Sequence, residues 1–199
     1  MLRTHACAEL NEKNIGEQVS LCGWVHARRD HGNLVFIDLR DKTGLTQIVF
    51  WGKELLKKIS DLRAEYVILI KGKVQRRPQG TENPKMPTGL IEVSVAEHQV
   101  LGSAKTVPFE IAKDIEATEE LRFTYRYLDL RRPGVAGKLM FRHQVIKAMR
   151  DYLDGEKFIE VETPLLTKST PEGARDYIVP SRLNPGKFYA LPQSPQLFK

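Results

Sequence analysis

The chain has 199 residues, with 31 lysines and arginines against 25 aspartates and glutamates, a net charge of +6. Hydrophobic residues make up 41% and charged residues 28%, which excludes a disordered chain. Apolar runs such as Val67–Ile70 are strand-sized, so no segment spans a bilayer, and MLRTHACAELNEKN lacks the apolar core of a secretory signal.

Five strands are expected in the first half. Val19–Arg28 is the first, closed by the turn-rich RRDHGN, and 33–40 is the second, ended by DKTG. Leu45–Trp51 is the third. Residues 53–65 then change period: Leu55, Leu56, Ile59 and Leu62 share one helical face. Tyr66–Gln75 is the fourth strand, RRPQGTENPKMPTG a long loop, and Leu90–Leu101 the fifth. Five strands with a helix between the third and fourth is the order of an OB-fold barrel.

Strand alternation sorts the faces. Val35, Ile37 and Leu39 point one way; Leu34, Phe36, Asp38 and Arg40 point the other. In the first strand Val19, Leu21 and Val25 share a face, with Trp24, His26 and Arg28 opposite. Arg28, Phe36 and Arg40 are thereby expected to form an aromatic and cationic outer surface. OB-folds bind single strands on strands 2 and 3 and on loops 1–2 and 4–5. An exposed ring there stacks on an unpaired base; a ring packed under a neighbouring element does not. Arg29 and His31, and Arg76 and Arg77, lie in those two loops.

The second half, from Ser103, reads differently. Residues 103–115 suit a hinge, and EATEELRFTYRYLDLRR is a helical start with a dense acid, base and tyrosine cluster. Lys138–Leu153 is a helix, with Leu139, Ile146, Met149 and Leu153 in register and Gly134 and Gly155 bracketing it. Strands are expected at Phe158–Glu162, at YIVPS and at FYAL. The pair Glu160 and Glu162 fits a charged strand edge. A helix is expected to start at Ser194, with Pro195 at its first position. The fold class is therefore β plus α+β, with a barrel at 1–102, a hinge at 103–133 and an incomplete second domain at 134–199.

Each half carries +3, which permits a nucleic-acid partner without requiring one. Cys7 and Cys22 are too few for a disulfide framework or a cysteine-rich zinc site and suit reduced thiols. No GxxxxGKT, GxGxxG, HExxH or CxxC occurs.

The passage FIEVETPLLTKSTPEGARDYIVPSR followed by GKFYALPQSPQLFK resembles the opening of a class II aminoacyl-tRNA synthetase catalytic domain, of the bacterial aspartyl type. The helix from Lys138 and the strand ending at Pro164 resemble that class's first motif, which serves its dimer interface. GWVHARRDHGNLVFIDLRDKTGLTQIVF resembles the family's anticodon-binding barrel.

That resemblance implies ATP-dependent activation of L-aspartate, with Mg2+, and transfer to tRNA(Asp) by a cytoplasmic homodimer. It implies aspartate-binding roles for Glu172, Ser194, Gln196 and Lys199, and anticodon-binding roles for Arg29, Phe36, Gln47 and Glu92, with Glu92 a partner for Arg29. Phe36 matches the ring that stacks on the middle anticodon base, and Gln47 the residue that reads its edge. The family's second and third motifs have no counterpart here, so no catalytic or metal-binding residue is expected within these 199 residues and neither ATP nor Mg2+ is expected to be bound by them. His31 and Gly80 match positions that separate strict members from those also charging tRNA(Asn), and resemble the relaxed kind. The alternative is a truncated tRNA-binding paralogue without ligase activity.

Overall fold

A computed structural model describes residues 2–111, 117–169 and 175–198, which form two compact units, 1–136 and 137–199. In the first unit, β1 (Gln18–His31), β2 (Leu34–Arg40), β3 (Leu45–Trp51), β4 (Val67–Arg76) and β5 (Ile91–Gly102) close a barrel in the order β1-β2-β3-β5-β4. The β3–β5 contact is its parallel pair. Leu21, Val25, Ile37, Leu39, Ile48 and Phe50 are fully buried inside it, as alternation requires.

The helix α1 (Lys53–Lys58) is shorter than its periodicity suggests. After it the chain makes tight turns, with the Ser60 and Leu62 amides donating to the Lys57 and Ile59 carbonyls. Arg28 explains the stop. Its guanidinium donates to the carbonyls of Ile59 at 2.7 Å and Leu62 at 2.9 Å, taking acceptors a longer helix would need. Ile59 and Leu62 are thus buried on the barrel core without a continuous helix.

Arg28 is therefore not on the outer face. Trp24 and Val25 pair with Arg40 and Leu39, but Ala27 pairs with Asp38, so His26 is an extra residue in β1. Such a bulge inverts the side-chain alternation beyond it. Arg28 comes to oppose Ile37, and Arg29 comes to oppose Phe36. The bulge is held from outside the hairpin: the Val25 amide donates to the Tyr66 carbonyl, and the Glu65 amide to the Val25 carbonyl. Arg40 also departs from the expected surface, donating to Glu65 at 2.7 Å and to His26 Nδ1 at 2.9 Å.

Cys7 and Leu10, in the segment leading into β1, are buried in the barrel core. Asp41 ties that segment down. It accepts from the amides of Cys7 and Thr43, from the Thr43 hydroxyl at 2.6 Å and from Arg3. Burial pushes this carboxyl up, but the Thr43 hydroxyl and the three amides of Cys7, Thr43 and Gly44 outweigh it and hold it below the usual range. A depressed carboxyl stabilises the fold above its unfolded value of about 3.9, and this stability is lost as pH falls through the lower folded value. Acid denaturation monitored by circular dichroism should thus begin below about pH 4. Asp41→Asn should cost about 1–3 kcal/mol at pH 7 and flatten that acid limb.

Residues 103–136 add a second small core, in which Phe109, Ile111 and Leu128 are buried. Helix α2 (Glu119–Thr124) is capped by the Thr118 hydroxyl, and α3 (Arg126–Asp129) follows directly. The Asp129 carboxylate is fully enclosed and paired with Arg122, Arg126 and Arg132. Arg122 above all holds it below the ordinary carboxylate range.

The second unit contains most of α4 (Pro133–Gly155) and the antiparallel pair β6 (Tyr177–Pro180) and β7 (Phe188–Leu191). The helix starts five residues before the expected Lys138. The Arg132 carbonyl accepts from the amides of Val135 and Ala136, and proline at the first helical position has no amide to lose. The strand expected at residues 158–162 is absent: this stretch is in neither sheet, although Arg150 pairs with Glu160 at 2.7 Å. No side chain of α4 is buried, and Met140, Phe141, Met149 and Tyr152 are more than half exposed. Among the described residues no helix is long and apolar enough to cross a membrane.

Candidate nucleic-acid interface

The outer face over β1, β2, β3, β5 and β4 carries ordered rows of side chains. In one row Arg29 opposes Phe36, Phe36 opposes Val49, Val49 opposes Ser94 and Ser94 opposes Lys73. In the adjoining row Asp38 opposes Gln47, and Glu92 opposes Gln75. Leu34 and Trp51 form the next pair outward. All of these but Lys73 and Asp38 line a groove of about 730 Å³ that also takes in His31, Pro78 and Thr81.

A chain of polar contacts runs along the groove floor. Arg29 grips both Asp38 carboxylate oxygens at 2.8 Å, the bidentate geometry that suits a guanidinium. The same guanidinium donates to Gln47 Oε1 at 3.1 Å. Gln47 Nε2 donates to Glu92 at 2.8 Å, and Gln75 donates to the other Glu92 oxygen at 2.7 Å. Gln47 is 7% exposed and Glu92 is 3% exposed, so this is a buried network with its partners supplied. The amide of Gln47 is thereby held in one orientation, with oxygen toward the cation and nitrogen toward the carboxylate. One N–H and one oxygen lone pair remain for a ligand.

Arg29, Phe36, Gln47, Glu92 and His31 thus meet in a single groove. Arg29 and Glu92 are joined through Gln47 rather than to one another. The His31 ring stands edge-on to Phe36, with centroids 5.8 Å apart. Gly80 lies outside the lining, in the loop between β4 and β5, at a φ of 85°. A Cβ there would meet nothing within 4 Å, but that backbone costs an L-residue about 1–2 kcal/mol.

Two arginines expected in the second loop do something else. Arg77 is 4% exposed and donates to the Ile91 carbonyl, so it braces the loop instead of lining the groove. Arg76 is paired with Glu12. Gln75, Ser94 and Trp51 line the groove, and Asp38 anchors its Arg29; none of the four was singled out from the sequence. Asp38 shares the alternation of Phe36, and Trp51 that of Gln47, which was the available signal.

In the second unit, Ser194 and Gln196 are both exposed at or near a short 3-10 turn, Gln196–Phe198. Glu172 and Lys199 lie outside the described residues. A separate groove of about 640 Å³ between α4 and residues 158–160 contains neither Ser194 nor Gln196.

Comparison with known proteins agrees with this architecture. A family model described as an OB-fold nucleic acid binding domain matches residues 19–101, and one for class II tRNA synthetases (D, K and N) matches residues 118–199. The chain is 56% identical over 202 residues to an aspartate–tRNA(Asp/Asn) ligase of Syntrophomonas wolfei, which covers all of this chain and 34% of that protein. It is 57% identical over 200 residues to the protein so named in a Geobacillus species, covering 99% of this chain and 34% of that one. The chain therefore spans about a third of the length of these curated relatives. Among solved structures, an asparaginyl-tRNA synthetase from Pyrococcus horikoshii, complexed with asparaginyl-adenylate, superposes with a TM-score of 0.82 at 27% identity over 100% of this chain and 44% of that one.

Proposed function

We propose that this chain serves an aspartate–tRNA ligase whose barrel reads the anticodon, a reading supported by the match of residues 19–101 to the OB-fold nucleic acid binding model and of residues 118–199 to the model for class II tRNA synthetases (D, K and N). The whole protein would activate L-aspartate with ATP to an aspartyl-adenylate and transfer the aspartyl group to tRNA(Asp) and tRNA(Asn). Its barrel contributes the recognition step. One observation carries the reading: a phenyl ring lining the groove, Phe36, stands beside an amide, Gln47, whose orientation is set by Arg29 and Glu92.

The chemistry follows from that amide. Uracil offers an N3–H donor next to an O4 acceptor, the complement of the lone pair and N–H left free on Gln47. Cytosine reverses both groups. A freely rotating glutamine could flip to suit it, but the clamp between a cation and an anion forbids the flip. Phe36 supplies stacking that is indifferent to base identity, and Gln47 then selects uracil at the middle position.

The anticodons GUC and GUU share that uracil, so neither residue separates them. His31, on the same groove, would face the remaining base and donate or accept according to tautomer, while Gly80 brings no side chain with which to exclude either pyrimidine. This supports reading of both tRNAs. Competition of GUC and GUU stem-loops for the 199-residue chain is the test. Affinities within about tenfold, or 1.4 kcal/mol, are expected. A stronger preference for GUC defeats the relaxed reading.

For the second unit, Glu172, Ser194, Gln196 and Lys199 are proposed to hold L-aspartate, with Lys199 facing its side-chain carboxylate as a charge-assisted donor. The apolar side chains exposed along α4 support its assignment to a dimer interface. Magnesium would assist ATP in the whole protein; among the described residues no group of three or more His, Cys, Asp or Glu is suited to hold a metal ion.

A further inference from the structure

Trp51 ends β3 with its indole 62% exposed, yet the ring is not free to turn. Its Nε1–H donates to Ser94 Oγ at 3.2 Å, which leans the indole across β5. The ring borders the groove that contains Phe36 and Gln47, and it also borders a second groove of about 610 Å³ on its far side. The second groove is basic. Lys53 and Lys58 of α1 and Lys73 of β4 line it, against the single carboxylate of Glu54 among the described lining residues. Lys73 is the cross-strand partner of Ser94, so this cation stands in the row next to the anchor of the indole.

The spacing suits a strand of nucleic acid. Phe36 opposes Val49, and Trp51 is two residues further along the same strand. Diagonal neighbours of this kind stand about 7–8 Å apart, roughly twice the 3.4 Å rise of stacked bases. Two bases can therefore lie on two rings without competing for one. An exposed, oriented tryptophan beside a run of lysines combines the stacking surface and the cationic track by which proteins hold single strands.

We propose that Trp51 and the lysine-lined groove form a second nucleotide subsite. An unpaired anticodon-loop nucleotide flanking the triplet stacks on the indole, and its phosphate lies against Lys73. This rests on the anticodon-reading function proposed above and extends it beyond the three bases of the triplet.

The chain has two tryptophans, so Trp24→Phe leaves Trp51 as the sole indole reporter. Phenylalanine at that position keeps a ring for Arg40 and Arg131, which stack on Trp24. Titration of this variant with a GUC stem-loop should quench Trp51 fluorescence, and an abasic residue at the flanking position should remove the quench while binding persists. Trp51→Ala should weaken binding about tenfold and Trp51→Phe much less. The abasic loop and Trp51→Ala should cost the same affinity once, not twice. Lys73→Ala should lower the slope of log affinity against log salt by about 0.7 to 1. Because the indole is mostly exposed, the thermal midpoint of Trp51→Ala should match the parent's and exclude unfolding as the cause.

If Phe36→Ala weakens the complex while Trp51→Ala binds like the parent, or the quench survives the abasic change, the second subsite is overturned and the triplet reading stands. If the stem-loop does not bind at all, both fall together.

Discussion

Gln47→Glu is expected to weaken stem-loop binding about a hundredfold and to make the barrel's stability depend on pH. The exchange removes the N–H that now meets Glu92 at 2.8 Å and sets a carboxyl in its place. Two carboxylates at that separation, both nearly enclosed, do not ionise together, so one retains its proton with a raised folded value. A group raised in the fold contributes its full stability below the unfolded value of about 4.3, and that stability is lost as pH rises through the folded value. The variant should therefore approach the parent near pH 4 and fall about 3 kcal/mol below it by pH 7. Arg29, within reach of the new carboxyl, softens this penalty but does not remove it.

Chemical denaturation of the 199-residue chain at the two pH values measures the effect. The double variant Gln47→Glu/Glu92→Gln restores a carboxylate–amide pair and should recover most of the stability at pH 7. It should not recover RNA affinity, because the groove then presents an acceptor where uracil O4 needs a donor. Losses of about 2–5 kcal/mol are typical when one partner of a buried charged contact is removed. Equal stability of Gln47→Glu at both pH values would mean that Gln47 and Glu92 are not in contact.

Phe36→Ala is expected to lower both affinity and stability, and the two are measured separately. The ring lies on the outer face, half-buried, with the His31 ring T-shaped to it at 5.8 Å between centroids. Its removal should cost the fold about 1–3 kcal/mol, because a half-buried ring takes a substantial apolar area out of water on folding. Binding should weaken by about 1–3 kcal/mol, the range for one base stacked on one ring. Phe36→Tyr keeps the π-face and should bind within a few-fold of the parent. Isothermal titration of the three proteins with one stem-loop is sufficient. An unchanged affinity for Phe36→Ala would make the ring structural and would remove the stacking half of the proposed recognition.

Much of the barrel was legible without coordinates, since the period-two pattern of Val35, Ile37 and Leu39 admits only one buried face for β2. The same parity aligned Phe36 with Asp38 on the outside and Gln47 with Val49. The resemblance, not the pattern, assigned Gln47 and Arg29 to a base, because a glutamine among alternating residues has no visible partner. Three things required the folded chain. The extra residue at His26 turned Arg28 onto the carbonyls of Ile59 and Leu62 just past α1 and brought Arg29 to Phe36, and the contacts that hold it come from Glu65 and Tyr66, about forty residues away. Gln47 was pinned by a guanidinium that reaches from β1 across β2 and by a carboxylate from β5, the parallel neighbour of β3. Arg77, one of two adjacent arginines, went inside while Arg76 stayed out. Local sequence determines which residues alternate and where a helix face lies, because those depend on spacing of two or three to four residues. It does not determine where alternation slips or which polar groups meet, because those depend on hydrogen bonds between strands far apart in the chain.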